Sequence, residues 1–225
     1  MVLKESIVID NPTSLILSPD QINQFDCTPL DFEPARSDSN QAYADNYRQM
    51  NRHLQASFQQ NDQGSATYVM CGAGSGSVIG YYTITMGVTK LSKKFRQSSQ
   101  IEGQDGNTGY PCVDVPFLAV NRAFQRSGYG KLLLEHLLLN VYWQIVPIIG
   151  ADLIRLDAID RAKDFYSRYG FLPYTQAHQR KRLIPVGLAT STIPDVLRFS
   201  TATQGEKDIQ RMLESTLIVF QRFPD

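Results

Sequence analysis

Hydrophobic and polar positions along this chain follow two periods, and the change of period separates strands from helices. Alternating runs rich in β-branched and aromatic residues predict strands at 66–70, 78–87, 113–120, 152–158 and 178–186. Apolar residues at helical spacing predict helices at 129–146, whose leucine-rich face suits a sheet surface, and at 160–171, while the polar segment 41–60 predicts an exposed helix. Because strands and helices alternate from residue 113, we expect an α/β fold with helices layered on a mixed central sheet.

Two segments interrupt this alternation. The polar stretch 87–111 predicts a long connection with a basic cluster of Lys90, Lys93, Lys94 and Arg96. Further along, 191–202 predicts a linker, and the capping pattern that opens at Thr203 predicts an amphipathic helix over 203–220. The sequence therefore predicts one domain over 1–190, followed by a linker and a C-terminal helical extension over 191–225. We expect that helix to dock on the domain, with partner binding as the alternative.

Charge and composition narrow the classes of function. Lysine plus arginine equals aspartate plus glutamate at 22 each, so the zero net charge gives no global argument for nucleic acid or a membrane surface. Three scattered cysteines and three dispersed histidines predict reduced, buried thiols and no metal site. The longest apolar stretch, 132–149, is interrupted by polar residues, and the first residues lack a signal-peptide core. We therefore expect a cytoplasmic protein that does not cross a membrane.

The strand at 113–120 leads through a polar turn directly into the leucine-rich helix. The turn consists of Gln125, Arg126, Ser127, Gly128, Tyr129 and Gly130. The first N–H groups of a helix have no internal partners and lie at the positive end of its dipole, so a turn without Cβ atoms lets a phosphate approach them. Arg126 and Lys131 add positive charge. The turn therefore predicts a site for an anion such as a pyrophosphate, with a tight strand–helix turn as the alternative.

Two motifs resemble those of the GNAT superfamily of acyl-CoA N-acyltransferases. Residues 125–130 match its Q/R-x-x-G-x-G/A pyrophosphate signature, and 162–171 match its A-x-x-F-Y-x-x-x-G-F segment. Three shorter stretches are similar to the toxin-type GNAT acetyltransferases, namely FDCTPLDF at 25–32, GYYTIT at 80–85 and RLIPV at 182–186. The chain departs from that branch at Thr28 and Ile159, where glycine and an acidic residue are usual.

The resemblance implies a set of site residues. It implies a GNAT-like mixed sheet, acetyl-CoA as co-substrate without a metal, and direct transfer of the acetyl group to a primary amine. The pantetheine arm would pair with the strand at Leu118, Ala119 and Val120. The pyrophosphate would be bound by Gln125, Arg126, Ser127, Gly128, Tyr129, Gly130 and Lys131. Tyr166 would protonate the coenzyme A thiolate as general acid, a role that suits a phenol with a reference pKa of about 10.

The sequence alone does not determine which amine accepts the acetyl group. The toxin-type branch implies the α-amine of an aminoacyl-tRNA as acceptor, with a small DNA-binding antitoxin as partner; we also expect a homodimer. Basic clusters at 90–96, 161–168 and 180–182 would form a phosphate-binding patch if they converge on the substrate mouth, and otherwise are solvated faces. The alternatives are a small-molecule or protein amine, and a non-catalytic acyl-CoA-binding protein. No general base is assigned, because Asp114, the nearest carboxylate, is expected to be solvated.

Overall fold

The computed structural model describes residues 17–33, 38–59, 64–72, 77–101, 109–175, 183–202 and 218–222. Its strands are β1 Ser65–Gly72, β2 Val78–Thr89, β3 Tyr110–Val120, β4 Leu153–Ile159, β5 Leu172–Pro173, β6 Leu183–Ala189 and β7 Ile218–Arg222. They form one sheet in the order β5-β6-β4-β3-β2-β1-β7. The β3–β4 pair is parallel and the other pairs are antiparallel, so the expected mixed sheet is confirmed.

Helices cover both faces of this sheet. They are α1 Pro19–Asn23, α2 Asp38–Gln59, α3 Lys93–Ser98, α4 Tyr129–Asn140, α5 Val146–Ile149, α6 Lys163–Ser167 and α7 Ile193–Ala202. On one face α4 packs its leucines against β2, β3, β4 and β6. On the other face α2 buries Tyr43, Tyr47 and Leu54 against Val69 and Tyr81. The prediction that 41–60 is an exposed helix was therefore wrong about exposure, because three widely spaced apolar positions suffice to dock it.

The segment Tyr129–Ile149 combines α4, a π-helical turn over Val141–Ile145 and α5. By length and composition alone its 21 residues, with a mean hydropathy of 1.5, would suffice to cross a membrane. A core helix has the same composition, and here the buried side chains of α4 include five leucines: Leu132, Leu133, Leu134, Leu137 and Leu138. Packing on the sheet accounts for the hydropathy of this first part of the segment.

Two expectations about the connecting segments were wrong, and a third is contradicted at its last residues. The stretch 87–111 contains α3, which Ser92 caps by accepting a hydrogen bond from the backbone N–H of Phe95. The expected linker at 191–202 is mostly α7, whose Ile193 is fully buried beside α4. Of the expected helix at 203–220, residues 203–217 lie outside the described residues, and 218–222 form β7, paired with β1. The boundary at residue 190 stays a prediction; described elements on both sides of it share one sheet.

The centre of the sheet contains a fork. Strands β3 and β4 pair only from Cys112 to Asp114, opposite Leu153 to Arg155. Just beyond this point β3 also carries a bulge, because Thr83 pairs with Phe117 and Thr85 with Asp114, so that one residue of β2 faces two of β3. The bulge and the early end of pairing together open a cleft between the two parallel strands.

Candidate active site

The fork leaves one edge of β3 free for a ligand. Leu118, Ala119 and Val120 lie beyond the last β3–β4 pair and are held on their other side by β2. The N–H and C=O groups that β3 directs toward β4 therefore have no partner in that ladder. An amide-containing chain such as pantetheine can supply the missing partners, because it presents donors and acceptors of the same kind. The sequence-predicted strand thus has the backbone geometry that its predicted role needs.

The glycine turn presents uncapped backbone at the start of α4. Gly128 is the N-cap residue, with a φ of 87°, and no side chain caps the first turn. Arg126 also adopts a positive φ of 64°, which is uncommon for a residue with a Cβ atom. Backbone strain of this kind concentrates at ligand-binding loops. The turn therefore exposes N–H groups at the positive end of a 12-residue helix.

Two side chains of the motif anchor the turn. The amide of Gln125 donates to the carbonyl of Val120 at 3.0 Å and to that of Cys27 at 2.8 Å. Arg126 forms an exposed ion pair with Asp31 at 2.6 Å. Both contacts tie the turn to the segment before α2. The amide of Gln125 is thereby part of the scaffold, whereas Arg126 stays at the surface of the turn with its side chain 81% exposed, and its contact with a pyrophosphate stays a prediction.

The segment before α2 is held to the same end of β3 by Asp26. Its carboxylate accepts hydrogen bonds from Arg122 at 2.9 Å, Asn51 at 3.0 Å and the backbone N–H of Thr28 at 2.9 Å. Burial alone would raise the pKa of this carboxyl, but the hydrogen bonds from Thr28, Arg122 and Asn51 outweigh it and lower the pKa to about 2. Asp26 is therefore an ionised clamp at neutral pH.

Gly130 is where the two sequence motifs meet. A Cβ atom placed on Gly130 would stand 3.8 Å from Cγ2 of Val120 and 3.9 Å from Cζ of Phe165. These are ordinary van der Waals distances, so the protein's own packing does not require glycine at this position. They also show that the end of β3, the start of α4 and the helix that contains Tyr166 converge on one point. The absent side chain is best explained by a ligand that approaches the backbone there.

Tyr166 lies on α6, next to Phe165 and beneath the sheet face that α4 covers. Its ring makes edge contacts with Phe165 and Phe171, with ring centroids 5.0 and 5.6 Å away. No described residue forms a hydrogen bond with its hydroxyl. Burial raises the pKa of the phenol above its usual range, so the group stays protonated at neutral pH. A protonated hydroxyl that has no partner among the described residues can donate to a ligand.

A cavity of about 370 Å³ opens at the fork, on the face that α2 covers. Sequence reasoning missed it, since its walls come from six separate places in the chain: 46–50, Thr85, 114–117, 155–157, Tyr174 and Leu183. Asp114 lies at its floor, where Nη2 of Arg155 donates to its Oδ2 at 2.6 Å and Nε donates to its Oδ1. The expectation that Asp114 is a solvated carboxylate was therefore wrong. Tyr166 does not line this cavity, which lies on the opposite side of the fork.

A sequence signal for the cavity did exist. Arg155 and Asp157 are charged residues at alternate positions of β4, a strand with neighbours on both sides in the sheet. Central strands are usually apolar on both faces, so two charges on one face indicate a polar site.

The architecture matches solved structures closely enough to fix the fold. No family model matches the sequence, and no curated protein matches it as a relative. A bacterial toxin structure matches at a TM-score of 0.57 and 24% identity, covering 78% of this chain and 87% of that one. The structure of AtaT complexed with acetyl-methionyl-tRNAfMet matches at a TM-score of 0.52 and 22% identity, covering 80% of this chain and 96% of that one. The structure of a tyrosine-to-phenylalanine mutant of KacT matches at a TM-score of 0.51 and 20% identity, covering 80% of this chain and 95% of that one.

The chain shares the fold of the AtaT and KacT structures, the fold expected from its resemblance to the toxin-type GNAT acetyltransferases. At these identities the likeness fixes the architecture and leaves the reaction to be argued from the residues.

The basic clusters are distributed unevenly over this fold. Lys93, Lys94 and Arg96 lie on α3, beside the cluster that α3 shares with Tyr174. Arg161 packs over Tyr43 and Phe32, with its guanidinium carbon 4.9 and 5.8 Å from the two ring centroids. Residues 180–182 lie outside the described residues. Arg161 is therefore engaged in cation–π packing, while the other described lysines and arginines of these clusters that stay exposed include Lys93 and Lys94 on α3 and Lys163 and Arg168 at the two ends of α6.

Proposed function

We propose that this protein is an acetyl-CoA-dependent N-acetyltransferase that acetylates the α-amine of an aminoacyl-tRNA. The observation that carries the proposal is the convergence at Gly130 of a free strand edge, an uncapped helix start and the helix of Tyr166. Acetyl-CoA would supply the acetyl group as a thioester. A small antitoxin that neutralises the enzyme and a homodimer belong to the same proposal.

Each chain segment has one role in this mechanism. The backbone of 118–120 would orient the pantetheine arm and direct an N–H group at the carbonyl that receives negative charge. The turn 125–130 would bind the pyrophosphate through its backbone, with Lys131 adding charge. Tyr166 would donate its phenolic proton to the departing thiolate. Apolar surroundings raise the pKa of a thiol as they raise that of a phenol, so the two groups stay matched inside the protein.

The acceptor part of the proposal rests on two supports. AtaT, which shares the fold, is known in complex with an acetylated methionyl-tRNA. The exposed Lys93 and Lys94 on α3 offer positive charge to a nucleic acid in a chain of zero net charge. An α-amine esterified to tRNA also has a lower pKa than a lysine amine, which eases its deprotonation.

A cell-free translation mixture tests both the donor and the acceptor. We expect translation to stop only when protein and acetyl-CoA are both present, and acetylated aminoacyl-tRNA to be recovered from the arrested mixture. Transfer to another amine with unaffected translation would favour a small-molecule or protein substrate. Acetyl-CoA binding by calorimetry without transfer to any amine would leave a non-catalytic acyl-CoA-binding protein.

A further inference from the structure

The fork cavity combines a charged rim with an apolar wall. Met50, Phe117, Leu156 and Leu183 form apolar parts of its lining, while Asp114, Arg155 and Asp157 contribute its charges. Its volume of about 370 Å³ suits an amino-acid-sized group better than a nucleotide. The cavity is therefore shaped for a small ligand that is apolar on one side and polar on the other.

The cavity lies beside the place where the thioester is expected. Asp114 and Arg155 are the last paired residues of β3 and β4, and the strands separate beyond them. Asp157 lies two residues further along β4, at the level of the β3 bulge that precedes Leu118. Two strand residues span about 7 Å, so an amine held at Asp157 stands close to the edge at 118–120.

Of the two carboxylates in the cavity, Asp114 is paired with Arg155, and Asp157 is available to bind a cationic ligand. Arg155 binds both oxygens of Asp114, and its Nη1 also donates to Thr89 at 3.0 Å. That pair is neutral overall. Asp157 forms no ion pair with any residue that the structure describes, and partial burial raises the pKa of its carboxyl. Among the residues that the structure describes, Asp157 is therefore the one charge of the cavity lining without a counter-ion.

We propose that Asp157 binds the ammonium group of the acceptor and then accepts its proton, while the wall of Met50, Phe117 and Leu183 receives an apolar side chain. The inference rests on the proposed acetyltransferase function and names its acceptor more closely. The preferred acceptor is an α-amine next to an uncharged, apolar side chain, as in a leucyl or methionyl ester. An acidic side chain would be repelled by Asp157.

The proton balance follows from this assignment. The ammonium loses one proton to the carboxylate of Asp157, and the neutral amine attacks the thioester carbon. The new C–N bond forms, the C–S bond breaks, and the thiolate takes the proton of Tyr166. The amide nitrogen then loses its surplus proton, which restores the phenol of Tyr166. Asp157 releases its proton to water at the open cavity mouth, so each turnover releases one proton.

Three variants test this role, with two separate measurements. Asp157→Asn removes the charge at nearly constant shape, Asp157→Glu keeps the charge, and Asp160→Asn neutralises an exposed carboxylate three residues away as matched control. The first measurement is binding of leucinamide, by calorimetry, to protein saturated with coenzyme A. The second is acetyl transfer from acetyl-CoA to leucyl-tRNA.

We expect Asp157→Asn to lower leucinamide affinity about tenfold and the transfer rate by about 10²–10⁴, with acetyl-CoA affinity unchanged. Asp157→Glu should recover part of both, and Asp160→Asn should match the wild type. Unchanged leucinamide binding and transfer in Asp157→Asn would overturn the assignment while leaving the acetyltransferase proposal intact. Asp157-dependent leucinamide binding without transfer to any amine would instead reject the acetyltransferase proposal and retain the cavity as an ammonium site.

Discussion

The two sides of the fork are built in different ways. On the α4 side, the expected cofactor site uses backbone from two short segments, 118–120 and 125–130, that are adjacent in sequence. On the α2 side, the cavity is assembled from side chains that lie far apart in the chain, such as Thr85, Asp114, Asp157 and Tyr174. A ligand common to many enzymes can be bound by backbone, whereas a particular acceptor needs particular side chains. The comparison teaches that a local motif locates the first side completely, whereas for the second side the sequence marks only the two charges on β4.

The sharpest test of this division concerns Tyr166, which belongs to the α4 side but is assigned to chemistry. Tyr166→Phe should lower the transfer rate by about 10²–10⁴, because the leaving thiolate loses its general acid. Acetyl-CoA affinity and thermal stability should be nearly unchanged, since no described residue bonds to the hydroxyl and the ring packing is kept. Steady-state transfer, calorimetry and a thermal melt measure the three quantities. Tyr169→Phe, on the same segment, is the control; normal turnover in Tyr166→Phe would mean that water protonates the thiolate.

The floor of the cavity depends on a charge pair, and removing one partner should cost stability. Arg155→Met leaves the largely buried carboxylate of Asp114 without its counter-ion. We expect a loss of about 2 kcal/mol in the free energy of unfolding, below the full value for a buried pair because both side chains keep some solvent contact. Urea unfolding measures it. The double variant with Asp114→Asn should regain part of the loss, and equal stabilities of single and double variants would contradict the pairing argument.

The backbone character of the α4 side can be tested at Gly130. Gly130→Ala should weaken acetyl-CoA binding about tenfold, because a methyl group would stand where the ligand approaches the helix start. The free energy of unfolding should stay equal or rise by up to about 1 kcal/mol, since alanine favours helix and its Cβ meets only ordinary contacts. Gly80→Ala is the opposite control, because its Cβ would lie 2.8 Å from the carbonyl oxygen of Ala119 and should lower stability. Undiminished affinity in Gly130→Ala would remove the argument for a ligand at this point.

The smallest expected effect is the pH dependence of the Asp26 clamp. Its folded pKa of about 2 lies below the unfolded value of about 3.9, so its stabilisation is present above pH 4 and is lost as pH falls toward 2. Allowing for its partial exposure, we expect about 1 kcal/mol. Urea unfolding at several pH values should show this slope in the wild type and a flatter one in Asp26→Asn. Equal slopes would show that the clamp contributes nothing to stability.

Much of the fold could be predicted from the local sequence pattern, and the elements that were predicted wrongly share one physical cause. The strands β3 and β4 and the helix α4 were predicted because each is strongly periodic, and the glycine turn because the backbone conformation it needs is set by adjacent residues. The helix predicted at 160–171 is α-helical only over Lys163–Ser167. By contrast, α3 has one buried residue, Phe95, and α7 is fixed by burying Ile193 in a distant core. Residues 218–222 have apolar character that fits a helix or a strand equally, and the strand that pairs with them, β1, is about 150 residues away. Contacts with residues far away in the chain determine the conformation of α3, α7 and β7, and a short stretch of sequence carries no information about such contacts.

The position of β7 has a consequence for how this protein behaves in concentrated solution. An exposed sheet edge is a template for pairing with other chains. At one border of this sheet stands β5, only two residues long and ending in Pro173, which has no N–H to donate. At the other border β7 occupies the edge of β1 from Tyr68 to Gly72. A chain shortened before Ile218 would present the eight-residue β1 as its border strand in place of the five-residue β7, so β7 keeps the exposed edge short and thereby limits self-association.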